Sequence, residues 1–242
     1  MKIKCNNCGK IINKKKFKNN IKELGIDKDD YVNIYLCKKC RRNHEIRLFV
    51  SDYLNWNDIS KYQRLTEPFI EKYKDKLNWD LISKYQGLTE SFIEKYQDKL
   101  DWDNISIYQK LSEPFIEKYQ DKFDWYYISQ YQELSEQFIE KHQNKLDWCY
   151  ISAYQKLSGS FIEKFKDKLD WYLISCYQEL SEPFIEKYKH KLSWHEISIY
   201  QKLSPEFVIN HINKITKAIF NNPCYKKFPD SVKLLLKQKF NK

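Results

Sequence analysis

The stretch WDNISIYQKLSEPFIEKYQDKFD, residues 102–124, is one copy of a pattern that fills most of the chain. All seven tryptophans mark it: Trp56, Trp79, Trp102, Trp125, Trp148, Trp171 and Trp194 stand 23 residues apart without a slip. Counting from each Trp as position 0, Ile follows at +3, Ser at +4, Tyr at +6, Gln at +7 and Leu at +9. Phe follows at +13 and Ile or Val at +14. A fixed period of this length is the mark of a repeat architecture and takes precedence over any length-based estimate of domain number.

Each copy predicts two short helices. The residue before Trp is Asn55, Asn78, Asp101, Asp124, Asp147, Asp170 or Ser193, all residues whose side-chain oxygen accepts an unpaired N–H at a helix start. A helix of about eight or nine residues from there places Trp, Ile and Tyr on one face. A second start lies at the Ser or Thr of +10, usually followed by Glu, whose charge suits a helix N-terminus. Pro68, Pro114 and Pro183 fall inside that first turn, where a missing N–H costs nothing. From this cap, +13, +14, +17 and +21 form an apolar stripe, in the third copy Phe115, Ile116, Tyr119 and Phe123. Neither helix is long enough to persist alone in water, so each must bury its stripe against its partner and the next copy. The expected fold is all-α, an α-solenoid of about seven helix pairs, with the recurring Trp, Tyr and Phe as core. The Ser of +4 and the Gln of +7 are expected to bond backbone between copies.

The chain carries 39 Lys, 4 Arg and a net charge of +10, unevenly placed. Residues 1–50 hold +9, residues 51–208 hold −6 and residues 209–242 hold +7. Basic ends suit a polyanion, and they also keep a lysine-rich protein soluble. There is no run of about 18 apolar residues, so no membrane span is expected. The opening MKIKCNNCGK lacks an apolar signal core, and an intracellular, unexported protein is expected.

The cysteines suggest a separate module. Cys5 and Cys8 form one Cys-x-x-Cys pair and Cys37 and Cys40 another, with Gly9 beside the first turn. Two such turns bring four thiolates into the tetrahedron that Zn²⁺ prefers, and a site closed by four protein ligands is structural rather than catalytic. Iron is the alternative metal for the same ligands. The expected organisation is a zinc-binding module over residues 1–40, a capping helix over 41–55, the repeat array over 56–208 and C-terminal capping helices over 209–242. One of the latter is expected to run unbroken over residues 205–220 with Phe207, Val208, Ile212, Ile215 and Ile219 inward. The last should start at Asp230 and bury Val232, Leu235 and Leu236. Elemental analysis of protein purified without added metal should find one zinc per chain, and Cys37→Ser should lower that stoichiometry. An unchanged metal content in the variant would remove the assignment.

The first module resembles zinc-ribbon and treble-clef knuckles. The repeat resembles the W-x-x-I-S-x-Y-Q-x-L-S-E-x-F-I-E-K-Y units encoded by giant amoeba-infecting DNA viruses of the Mimivirus kind and by some phages, over about two-thirds of the chain. That resemblance implies a viral protein of the host cytoplasm or viral factory, or of the virion, and implies no activity.

Two surfaces are candidates for binding. Lys38, Lys39, Arg41, Arg42 and Arg47 cluster at the second cysteine pair and suit phosphate contacts to RNA or DNA. In the array, positions +1, +2 and +5 vary from copy to copy. They run from polar (Asn57, Asp58, Asp80, Asp103, Asn104) to aromatic and apolar (Tyr126, Tyr127, Tyr150, Tyr172, Leu173). Aromatic residues at a repeat surface suit a protein partner, and packing between helices is the competing explanation. No phosphate-cradling Gly loop, His-Glu-x-x-His or catalytic triad pattern is present, so no catalytic residue is expected. The leading expectation is a non-enzymatic scaffold with a structural zinc module. The alternative is a nucleic-acid-associated factor using the basic module.

Overall fold

A computed structural model of the chain describes residues 55–240. The expected metal ligands Cys5, Cys8, Cys37 and Cys40, the basic cluster at Lys38, Lys39, Arg41, Arg42 and Arg47, and nearly all of the N-terminal capping helix lie outside the described residues. The chain divides into two compact units that meet after Asp124. The first contributes three repeats to the described region and the second four, followed by the C-terminal segment.

Within the described residues the regular structure is entirely helical. In the first unit the helices are α1 (Trp56–Tyr62), α2 (Glu67–Lys72), α3 (Trp79–Tyr85), α4 (Glu90–Lys95), α5 (Trp102–Tyr108) and α6 (Glu113–Lys118). The second holds α7 (Trp125–Tyr131), α8 (Glu136–Lys141), α9 (Trp148–Tyr154), α10 (Gly159–Lys164), α11 (Trp171–Tyr177), α12 (Glu182–Lys187), α13 (Trp194–Tyr200), α14 (Pro205–Asn210) and α15 (Asp230–Phe240). Each repeat is thus a seven-residue helix followed by a six-residue one. The caps stand where the sequence places them, but the side chains of Ser193 and Thr66 make no capping bond. Asp147 Oδ1 accepts the N–H groups of Cys149 and Tyr150, and Ser158 Oγ accepts that of Phe161.

Within each unit, first helix stacks on first helix. In the first unit α3 lies between α1 and α5, and in the second α7, α9, α11 and α13 follow one another in a row. The Ile of +3 and the Ile or Val of +14 are fully or almost fully buried in every repeat, and the Leu of +9 is buried or half-buried. Each such isoleucine contributes about 1.5–3 kcal/mol. The second helix ends at +16, and the turn after it carries the apolar residue of +21 back onto the core. Leu146 and Leu169 are buried there. Trp stands at the edge of this core. Trp148 lies 5.1 Å from Phe165 by ring centroids and donates its Nε1–H to Gln143 O at 3.0 Å. Lys168 Nζ sits 5.2 Å over its indole.

One expectation fails here. The Tyr of +6 is not core: Tyr85, Tyr108, Tyr131, Tyr154, Tyr177 and Tyr200 are exposed. The buried stripe of the first helix is Ile, Ser and Gln at +3, +4 and +7, and +6 lies roughly a quarter turn or more from its centre at about 100° per residue.

The two polar members of that stripe are buried because they are fully bonded. Ser152 Oγ donates to Trp148 O at 2.6 Å and accepts the N–H of Asp170, the cap of the next repeat, at 3.0 Å. Gln155 reaches back into the preceding repeat. Its Nε2 donates to Ser129 O at 3.0 Å and Gln132 O at 2.8 Å, and its Oε1 accepts the Leu134 N–H at 3.0 Å. Gln178 and Gln201 do the same one and two repeats on, and Gln86 does so in the first unit. A helix end leaves carbonyls without partners. Here the following repeat's carboxamide supplies them.

The expected unbroken helix over residues 205–220 is also corrected. α14 stops at Asn210 like every second helix before it, and His211 takes the capping position. Two short 3₁₀ helices, Lys217–Asn221 and Pro223–Lys227, then replace the eighth Trp helix. Thr216 N–H donates to Ser198 Oγ at 3.1 Å, as a cap residue would. Asn222 Nδ2 donates to Ser198 O at 3.0 Å and Gln201 O at 2.9 Å, taking over the glutamine's two donor bonds. α15 buries Val232 and Leu236 but leaves Leu235 exposed, and its Lys239 ammonium donates to Ile212 O and, at 2.6 Å, Ile215 O.

Candidate protein-binding surface

The outward residues of the first helices in the second unit form a continuous aromatic layer. Positions +1 and +2 sit in the first turn, just past the cap, and +6 closes the last turn of the same helix. Ring contacts link them in sequence. Tyr131 meets Tyr127 at 6.4 Å, Tyr127 meets Tyr126 at 5.5 Å, and Tyr126 meets Tyr150 edge-on at 4.6 Å. Tyr150 then lies 5.9 Å from Tyr154, and Tyr154 lies 6.4 Å from Tyr177. Six tyrosines from three repeats are thereby joined.

Of the residues expected to bind protein, Tyr126 and Tyr172 are exposed, at 44% and 56%, while Tyr127, Tyr150 and Leu173 are half-buried. Tyr126 and Tyr150 also share a hydroxyl–hydroxyl hydrogen bond. That bond, with some burial, pushes the Tyr150 phenol up to about 12. The rings thus pack against one another between helices, and Tyr126 and Tyr172 keep an exposed face. Tyr172 stands apart from the six-ring cluster. Its phenol is raised by the negative charge of the buried Glu196 carboxylate, with Cys176 beside it. Burial, then Glu196, pushes the Cys176 thiol up to about 11. It is protonated at neutral pH, and the protonated thiol is the unreactive form.

The sequence reading missed Tyr131, Tyr154, Tyr177 and Tyr200, which the structure brings into or beside the same layer. Their signal was present but ambiguous. In a perfect repeat a surface residue recurs as regularly as a core one, so recurrence alone does not assign burial. Counting the angle from Ile at +3 and Ser at +4 does.

Among the described residues no cluster of three or more His, Cys, Asp or Glu is arranged to hold a metal ion. No helix there is long and apolar enough to cross a membrane. Cys149, Cys176 and Cys224 are free thiols. Comparison with family models, with curated proteins and with solved structures found no match for the chain.

Proposed function

We propose that the protein is a non-enzymatic interaction scaffold whose second unit binds a partner protein through its tyrosine layer. The observation that carries this is the six linked rings from Tyr131 to Tyr177, on three successive first helices. Tyrosine gives large contact area at low entropic cost and is enriched at the energetic centres of interfaces. Helices fixed in a row present that area preorganised, which reduces the ordering cost of binding. The zinc module remains part of the proposal on the strength of its two Cys-x-x-Cys pairs, and it serves to fix the basic N-terminal segment.

The test is affinity capture from host-cell extract with the full chain, beside a variant carrying Tyr126→Ser, Tyr127→Ser and Tyr150→Ser. A partner held by this surface should lose about 30-fold or more in affinity, as expected for interface centres worth about 2 kcal/mol or more. Circular dichroism should show the variant still helical. Retention of every captured protein by the folded variant would overturn the proposal.

A further inference from the structure

The first unit shows what the edge between two successive +6 tyrosines holds. Lys61 Nζ lies 4.9 Å from the centre of the Tyr62 ring and 5.2 Å from that of Tyr85. One repeat on, Lys84 Nζ lies 5.5 Å from Tyr85 and 5.1 Å from Tyr108. Each ammonium is shared by two rings, within the range at which a cation is drawn to an aromatic face. The lysine that does this stands at +5.

In the second unit the tyrosines persist and the lysines do not. Position +5 is Gln130, Ala153, Cys176 and Ile199. Tyr154 and Tyr177 remain nearly parallel, 23° apart at 6.4 Å, and are 57% and 61% exposed. Among the described residues no lysine ammonium lies over Tyr154, Tyr177 or Tyr200. Ala153 stands where a clamping lysine would begin, and its methyl leaves that path open. The surrounding charge changes in the same sense. In the first unit +5 and +8 carry Lys61, Arg64, Lys84 and Lys110 without an acid. In the second they carry Glu133, Lys156, Glu179 and Lys202. Lys202 is already paired with Glu179 at 3.0 Å. At +5 and +8 the charged residues of the first unit are therefore all cations, and the second carries equal numbers of acids and bases.

We propose that the edges between successive +6 tyrosines of the second unit, centred on Tyr154 and Tyr177, bind lysine ammonium groups of an extended segment in a partner protein. The inference rests on the protein-binding reading of the same layer and names the chemistry of its partner. The register follows from geometry. Stacked helices stand about 8–10 Å apart. A polyproline II segment returns to the same side every third residue, after about 9 Å. The segment is therefore one with lysine at every third position.

A capped peptide of four Lys-Pro-Ser triplets, titrated into the full chain and followed by tyrosine ring proton shifts, tests this directly. Saturable binding is expected. Tyr154→Leu and Tyr177→Leu should each weaken it about 2- to 5-fold, as an exposed cation–π contact would. Ala153→Lys should weaken it at least as much, because the chain then fills its own clamp, while the neutral Ala153→Met should stay within about twofold of wild type. A peptide with Gln in place of Lys should not bind. The proposal is overturned if the lysine peptide fails to bind, if the Gln peptide binds equally, if the Tyr→Leu variants bind unchanged, or if Ala153→Lys and Ala153→Met behave alike. A captured partner released by the Tyr126, Tyr127 and Tyr150 substitutions but indifferent to Ala153→Lys would sink the clamp and leave the scaffold reading standing.

Discussion

Gln155→Ala should destabilise the second unit by about 3–5 kcal/mol, measured by chemical denaturation. The side chain makes three bonds to the preceding repeat: it donates to Ser129 O and Gln132 O and accepts the Leu134 N–H. Truncation leaves those groups at a buried interface, and each unpaired buried group costs about 1–3 kcal/mol. Partial access of water to the space vacated keeps the total below the sum. Gln137→Ala, on the exposed side of α8, changes the same residue type without touching the interface and should stay within about 0.5 kcal/mol of wild type. If Gln155→Ala also costs less than about 1 kcal/mol, the carboxamide ladder does not hold the repeats together.

Ile151→Ala is expected to cost about 2–5 kcal/mol, and Ile151→Val only about 0.5–1.5 kcal/mol. Ile151 is completely buried in α9, a helix packed between α7 and α11, so neither neighbour closes on the cavity without breaking its own hydrogen bonds to α9. The two substitutions also report different things. The isoleucine measures apolar packing between rows, and the glutamine measures polar continuity along a row. A Gln155→Ala, Ile151→Ala double variant, with both sites in α9 and at its end, should depart from additivity, since residues sharing partners are coupled.

Much of this was legible in the sequence, and the reasons differ by position. Helix starts were readable because capping is local chemistry: Asp147, Asp170 and Ser158 each sit within three residues of the N–H they accept. The bonding of Ser at +4 and Gln at +7 between copies was readable because polar residues that recur beside an apolar Ile need partners. The Tyr of +6 goes astray in the sequence because it recurs as regularly as the core residues, and only its angle from Ile at +3 and Ser at +4 separates the outer face from the inner one. The segment after α14 was misread for a related reason. Ile212, Ile215 and Ile219 are spaced as a helical stripe, yet the chain there keeps the format of the preceding repeats, turning at His211 and restarting at Thr216. Asn222 could not be identified from spacing at all, because a 3₁₀ helix has a different rise from the helix it replaces. Of the proposed surface, the sequence offers Tyr126, Tyr127, Tyr150, Tyr172 and Leu173 as candidates, while Tyr131, Tyr154 and Tyr177 required the fold.

The glutamine ladder points in one direction. Within each unit the carboxamides of Gln86, Gln109, Gln155, Gln178 and Gln201 reach back to the repeat before, and Gln155 Nε2 bonds the Ser129 carbonyl 26 residues earlier. On a ribosome, a newly emerged first helix therefore waits with open carbonyls until about one further repeat has left the exit tunnel. At about 5–20 residues per second that interval is about 1–5 s. The nascent chain thus always carries one unfinished rung at its growing end, a place where a chaperone or a neighbouring nascent array finds accepting carbonyls. Asn222 closes the last of these rungs, donating to the Ser198 and Gln201 carbonyls in the glutamine's place.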